Sequence, residues 1–214
     1  MDALQQLPEN FAATVSALHR VAEEVVAPAR KPDNEIALEA TPGGFGTPPF
    51  EWEGARHRVR VEGTELVRET DGREEREPLG VDPEGARVLA DWHRFGTEVL
   101  ERLRGEAHVS EAPTEPILWP EHFDVAIEMG VEAKGRRATY GFSPGDENHR
   151  EPYAYVAPWA SQPLGDLWNA HGFAGAELGY AALLTAEDPG LEALRFMGDR
   201  RDALEQANTT EEGM

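Results

Sequence analysis

Two stretches of alternating residues, 117–129 and 136–143, constrain this fold more than any other part of the chain. Side chains of a strand point to opposite faces in turn, so period-two alternation sorts residues by face. In the first stretch Ile117, Trp119, Phe123, Val125, Ile127 and Met129 share one face, and His122, Asp124 and Glu128 share the other. In the second, Ala138, Tyr140 and Phe142 oppose Arg137, Thr139, Gly141 and Ser143. A turn over 130–135 would join them as a hairpin. Setting Met129 opposite Arg136 pairs Ile127 with Ala138, Val125 with Tyr140 and Phe123 with Phe142. It also sets Glu128 against Arg137, Asp124 against Gly141 and His122 against Ser143. Glu128 thereby gains a cation and is set aside as a site residue.

Helical and strand periodicities frame this hairpin. A helix is expected over 8–27, where Phe11, Val15, Leu18, Ala22 and Val25 form one stripe, Asn10 or Glu9 marks the start, and Pro28 and Pro32 stop it. Residues 35–40 read as extended. The Gly- and Pro-rich stretch 41–50 reads as a loop without regular structure. Strands follow at 57–62 and 65–70, joined at Glu62-Gly63, and 71–78 reads as a charged connection. Asp82 and Pro83 open a helix over 82–104 with Leu89, Trp92, Phe95, Val99 and Leu103 as its core stripe. A third strand of the second set is expected at 152–158. Helices are expected over about 174–185 and from an Asp188-Pro189 cap onward, the latter carrying Leu191, Leu194, Met197 and Leu204. The order is α-βββ-α-βββ-α-α. Short turns make neighbouring strands antiparallel, so the fold class is α+β, with helices packed on a mostly antiparallel sheet of about six strands. The 214 residues suit a single domain over 1–214, with ends at about 1–7 and 208–214 expected to fray.

The balance of 41 acidic against 20 basic residues, a net charge of −21, excludes two classes of partner. Nucleic acid needs a basic patch to neutralise phosphates, and the nearest cluster is Arg136-Arg137 with Lys134. Anionic membrane surfaces are disfavoured on the same ground, and no apolar run reaches spanning length. The acidity reads first as a solvated surface, then as salt adaptation, since only Lys31 and Lys134 are lysines, and last as nucleic-acid mimicry. The oligomeric state is open. Cysteine is absent, and the first residues show neither a basic start nor an apolar run, so a cytoplasmic protein is expected.

His122 and Asp124 are the leading site candidates. Same-face strand residues two apart stand about 6.5–7 Å apart at the backbone, which lets an imidazole and a carboxylate act on one ion or one proton. Their expected neighbours Gly141 and Ser143 are small. His149 or Glu147, from the polar loop 144–151, could complete the site. His122, Asp124 and His149 are accordingly both the catalytic candidates and the ligands for a divalent metal, though His-x-Asp with a distant His lacks the spacing of established zinc motifs. Glu147, Tyr140, Trp159, Trp168 and His171 are ligand-binding candidates; Trp159 and Trp168 flank a loop and could line a cleft. His19 and His93 sit at the edges of helical stripes and read as packing residues with one satisfied nitrogen. The Gly-Gly-Phe-Gly stretch lacks phosphate-loop spacing and a lysine, which leaves a flap over a pocket as its functional reading. No Gly-x-Ser-x-Gly elbow occurs.

Several segments together resemble a family of uncharacterised actinobacterial proteins: Thr-Pro-Gly-Gly-Phe-Gly-Thr-Pro at 41–48, Leu-Ala-Asp-Trp at 89–92, Leu-Trp-Pro-Glu-His-Phe-Asp-Val-Ala at 118–126, Ser-Pro-Gly-Asp-Glu at 143–147, Glu-Pro-Tyr at 151–153 and Trp-Asn-Ala-His-Gly-Phe at 168–173. The resemblance spans roughly 35–200 and implies a soluble, cytoplasmic α+β protein, with no catalytic residue to carry over. Three functions stand: a small-molecule-binding domain with its polar mouth at His122, Asp124 and loop 144–151; a metal-assisted hydrolase or lyase at the same place; and an interaction protein using its acidic surface.

Overall fold

The computed structural model describes residues 4–30, 36–146, 149–160 and 165–207. Glu147, Lys31, Pro32, the first residue of the 35–40 segment and the end 208–214 lie outside the described residues. Of the N-terminal segment expected to fray, Leu4 and Leu7 pack against the core and the Gln5 carbonyl accepts a hydrogen bond from the Tyr180 hydroxyl at 2.7 Å.

The α+β class holds, and among the described residues the strands number eleven in two antiparallel sheets. The first helix, α1 (Phe11–Val21), runs on through a π-helical turn (Ala22–Val26) into a 3-10 turn (Ala27–Arg30). Pro28, which has no N–H to donate, sits in that tighter last turn instead of ending the helix before it. The first sheet contains β1 (Glu39–Thr41), β2 (Gly44–Gly46), β3 (Phe50–Trp52), β4 (Ala55–Glu62), β5 (Glu65–Thr70) and β6 (Arg73–Pro78), ordered β1-β2-β4-β5-β6 with β3 also paired to β4.

Two segments expected to be irregular are strands. Pro42-Gly43 makes a two-residue turn with Gly43 at φ +79°, which pairs Thr41 with Gly44 and folds β1 onto β2. Gly44 is required there: a Cβ would lie 2.1 Å from the Val61 carbonyl oxygen on β4. The 71–78 connection turns at Asp71-Gly72, both at positive φ, and continues as the edge strand β6, every residue of which is exposed. Having no apolar residue apart from Pro78, β6 shows no hydrophobic alternation; its pairing is supported across the sheet by Arg60 to Glu74, Arg76 to Glu65 and Arg68 to Glu77. Charges along it also blunt an open edge.

The long helix α2 (Pro83–Glu106) starts where expected, with the Asp82 side chain accepting the Gly85 N–H at 2.7 Å. It lies across both sheets and is shared by two cores. Its first turns (Ala86, Val88, Leu89) pack with α1 and the first sheet; its later turns (Trp92, Phe95, Val99, Leu100, Leu103) pack on the second. The second sheet contains β7 (Ile117–Trp119), β8 (Asp124–Met129), β9 (Ala138–Ser143), β10 (Tyr153–Pro158) and β11 (Ala176–Gly179), ordered β11-β10-β9-β8-β7. An antiparallel bridge between Leu38 and Leu118, with both N–H···O bonds at 2.9 Å, joins the two sheets edge to edge. The expected helix over 174–185 forms only as α3 (Tyr180–Thr185), because Ala176–Gly179 add to the free edge of β10 as β11. The final helix α4 (Pro189–Ala207) begins as expected, with Asp188 Oδ1 accepting the Leu191 N–H at 3.0 Å.

The hairpin register differs from the expected one by two residues. Val125 opposes Phe142, Ala126 opposes Gly141, Ile127 opposes Tyr140, Glu128 opposes Thr139 and Met129 opposes Ala138. A two-residue shift preserves the faces of β8 and β9, so Val125, Ile127, Tyr140 and Phe142 share the buried core as expected. Phe123, expected with them, belongs instead to the first core, and Ile117 and Trp119 pair with Ala126 and Asp124, on the opposite face from the one expected. Glu128 still meets Arg137, diagonally, at 3.2 Å. Gly130 sets the shift: its φ of +116° turns the chain early, and a Cβ there would lie 2.2 Å from the Arg136 carbonyl oxygen.

Candidate functional site

The stretch 117–129 is not one strand. It folds back at Pro120–Phe123, so β7 and β8 form their own hairpin with Trp119 opposite Asp124. Phe123 takes φ +55°, a left-handed conformation costly for a bulky residue. Its surroundings hold it there. The ring is fully buried, stacks on His19 at 5.2 Å and meets Phe45 and His93 edge-on at 5.0 and 5.1 Å. His19 Nε2 bonds the Pro120 carbonyl at 2.8 Å, and His93 Nε2 bonds the Phe123 carbonyl at 3.1 Å. A carbonyl only accepts, so the proton of each ring is on Nε2. Burial drives the His93 pKa down to about 4, only partly offset by the Phe123 bond, so this imidazole is neutral at pH 7. Both histidines are packing residues with one nitrogen satisfied, as their stripe positions suggested. Their local effect is to fix the turn that delivers Asp124.

Asp124 is buried, at 4% exposure. Its Oδ2 accepts a hydrogen bond from the Tyr155 hydroxyl, and its Oδ1 has no partner among the described residues. Tyr155 lies on β10 opposite Gly141 on β9, and Gly141 in turn opposes Ala126 on β8. The tyrosine ring crosses above Gly141, where a Cβ would lie 2.5 Å from its Cε1 and Cζ atoms. Glycine at 141 therefore opens the lane through which a β10 side chain reaches a β8 carboxylate. Burial raises the Asp124 pKa above the usual carboxylate range, while the Tyr155 bond and the charge of His122 oppose the rise. Burial first, and then Asp124, raise the Tyr155 pKa well above that of a free phenol.

Aromatic rings gather beside this pair on the face away from the helices. Tyr153 lies 6.1 Å from Tyr155, His149 lies 4.3 Å from Tyr153, and Phe173 stacks on Tyr153 at 6.4 Å and meets Tyr155 edge-on at 6.0 Å. All four are partly exposed. Burial raises the Tyr153 pKa, and the carboxylates of Asp146, Asp124 and Glu177 raise it further. The patch is aromatic, with negative charge around it.

The expected site residues fare differently. His122 is exposed in the β7–β8 turn, not on a strand, because the left-handed Phe123 breaks the alternation. His149 does come to the Asp124 face: its Nδ1 bonds the Glu151 carbonyl at 2.8 Å and its Nε2 is 3.9 Å from Glu177. Among the described residues, no three of His, Cys, Asp and Glu gather as a metal-ligand set, so His122, Asp124 and His149 are not brought together on one ion. Tyr140 is buried in the core. Trp168 is also core, at 8% exposure. Trp159 is half exposed, donates to the Thr139 hydroxyl at 3.1 Å and carries the Arg137 guanidinium 4.9 Å above its ring. His171 is exposed on the 170–175 loop. The flap reading of the Gly-Gly-Phe-Gly stretch is replaced by strand β2, whose Phe45 is core. Sequence reasoning missed Tyr155, Gly141 and Phe173 as one unit. Their signal was strand parity across three strands, legible only once the register is known.

No family model, curated protein or solved structure matches this chain. No helix among the described residues is long and apolar enough to cross a membrane.

Proposed function

We propose that this protein is a small-molecule-binding domain that recognises a small organic cation, such as an amine, on the open face of its second sheet. The observation that carries the reading is the buried Asp124 carboxylate with one oxygen unpartnered, set beside the part-exposed rings of Tyr153, Tyr155, Phe173 and His149. Ring faces attract a cation, each by about 0.5–2 kcal/mol depending on desolvation. Glu177 and Asp146 supply the counter-charge nearby. The metal-assisted hydrolase or lyase has no comparable support, since no three-ligand group occurs among the described residues. A cysteine-free chain needs no oxidising compartment, which suits a cytoplasmic location, and membership of the actinobacterial family that the sequence resembles belongs to the same reading.

Tetramethylammonium chloride is a suitable probe, titrated against sodium chloride at equal ionic strength and followed by amide and aromatic NMR shifts. Shifts at Tyr153, Tyr155 and Phe173 that disappear in Tyr153→Ala support the reading. Identical responses to the two salts end it.

A further inference from the structure

A cavity of about 310 Å³ lies at the far end of the second sheet. The 3-10 turn Glu132–Lys134, the start of β9 and the last turns of α4 form its walls together with His108 and Ser110. In a protein of net charge −21 it presents Lys134, Arg136 and Arg201 against Glu111 and Glu205. The region is the Lys134–Arg137 cluster that stood out in the sequence as the nearest approach to a basic patch.

The cations do not all have the same status. Arg201 is committed: it grips the buried Glu111 carboxylate through Nε at 2.9 Å and a terminal nitrogen at 2.8 Å. Glu111 also accepts the His108 N–H at 2.7 Å, so its charge is satisfied within the protein. Arg137 is committed outside the cavity, to Glu128 and Trp159. Arg136 is different. Its Nε is buried and has no hydrogen-bond partner among the described residues, and no carboxylate among them lies within ion-pair distance of its guanidinium. Leaving a charged donor buried and unpaired costs more than leaving a neutral one so. Lys134 likewise has no ion pair among the described residues, and it reaches the same cavity from a tight turn closed by Gly135 at φ +63°. His108 Nδ1 accepts the Ser110 N–H at 3.2 Å, which places the proton of the neutral ring on Nε2 and leaves that nitrogen a donor. Lys134, Arg136 and His108 are thus three donors without a carboxylate of their own, at the mouth of one small cavity.

We infer that this cavity binds the phosphate group of a small phosphate monoester, with Arg136 and Lys134 as its charge partners. A guanidinium fork matches a phosphate bidentately, and an ammonium adds a compact second charge. The volume admits a small metabolite and no polymer. The site is separate from the amine face, and its test is independent of that reading.

The experiment is a titration of the full chain with inorganic phosphate and with glycerol phosphate, in parallel with sodium chloride at matched ionic strength, read by backbone amide shifts. Saturable shifts centred on Lys134, Gly135 and Arg136 are expected with both phosphates and not with chloride. The exposed Lys134→Gln, which leaves the fold intact, should weaken binding about tenfold, and Arg136→Gln at least as much. Arg73→Gln removes the same charge on β6, in the other sheet, and should leave affinity within twofold. Equal responses to phosphate and chloride overturn the inference, as does an Arg73→Gln loss as large as that of Lys134→Gln. A response to inorganic phosphate at high concentration alone, unmoved by Lys134→Gln, also overturns it.

Discussion

Replacing Gly141 with alanine should damage the protein through a residue fourteen positions away. A Cβ at 141 would lie 2.5 Å from two ring atoms of Tyr155 and 2.6 Å from its hydroxyl oxygen. The ring cannot simply lift away, because Tyr153 and Phe173 flank it at 6.1 and 6.0 Å. Overpacking of this kind costs about 1–3 kcal/mol. Displacing the hydroxyl also strips Asp124 of its one side-chain donor, leaving a 4%-exposed carboxylate with neither oxygen served by a side chain, for about 1–3 kcal/mol more. Alanine returns about 0.5–1 kcal/mol through its lower chain entropy in a strand. The sum is a net loss of about 3 kcal/mol, or a fall in Tm of roughly 6–12 °C for a domain of this size. Urea denaturation of wild type, Gly141→Ala, Tyr155→Phe and the double variant measures it. Tyr155→Phe alone should cost about 1–3 kcal/mol, and much less in the Gly141→Ala background, where the bond is already lost. Additive costs, or a Gly141→Ala variant within about 0.5 kcal/mol of wild type, would show that the ring does not depend on the open lane.

Asp124 also predicts a pH dependence. Burial raises its folded-state pKa, so its contribution to stability is present below the ordinary aspartate value of about 4 and is lost as pH rises through the raised value. Asp124→Asn has no such titration, so its stability relative to wild type should improve between pH 4 and pH 7 in urea melts; a constant difference contradicts the assignment. Charge makes a further prediction. At −21, screening relieves self-repulsion, so the Tm should hold or rise between low and moderate sodium chloride, and the protein should not retain DNA at physiological salt; a Tm falling steadily with salt contradicts this.

What was legible in the sequence was whatever a local period or cap encodes. The α2 start at Asp82 and the α4 start at Asp188 depend on side chains bonding N–H groups three residues on, and both appear as expected. Elements held by partners distant in the chain were not legible. The strand β6 has only charged residues and Pro78, and what makes it a strand is β5 beside it. The strand β11 carries no strand signature, and the free edge of β10 imposes it. Within β8 and β9 the faces were right and the register was not, because parity is a property of each strand whereas register depends on the turn at Gly130.

The candidate site shows the same division more sharply. Asp124 was found because strand parity placed a carboxylate on the face away from the aliphatic core, and that placement needs no partner. His122 was paired with it on the same reasoning, which failed because Phe123 adopts a left-handed turn sustained by His19, Phe45 and His93, residues 104, 78 and 30 positions earlier. The true neighbour of Asp124 is Tyr155, two strands away, and the residue that permits the contact is Gly141, which has no side chain to advertise it. A glycine expected opposite Asp124 reads in sequence as empty space for a ligand. In the fold it is space for a tyrosine ring, and the exposed edge of that ring extends the polar site onto the open face of the sheet, beside Tyr153 and Phe173.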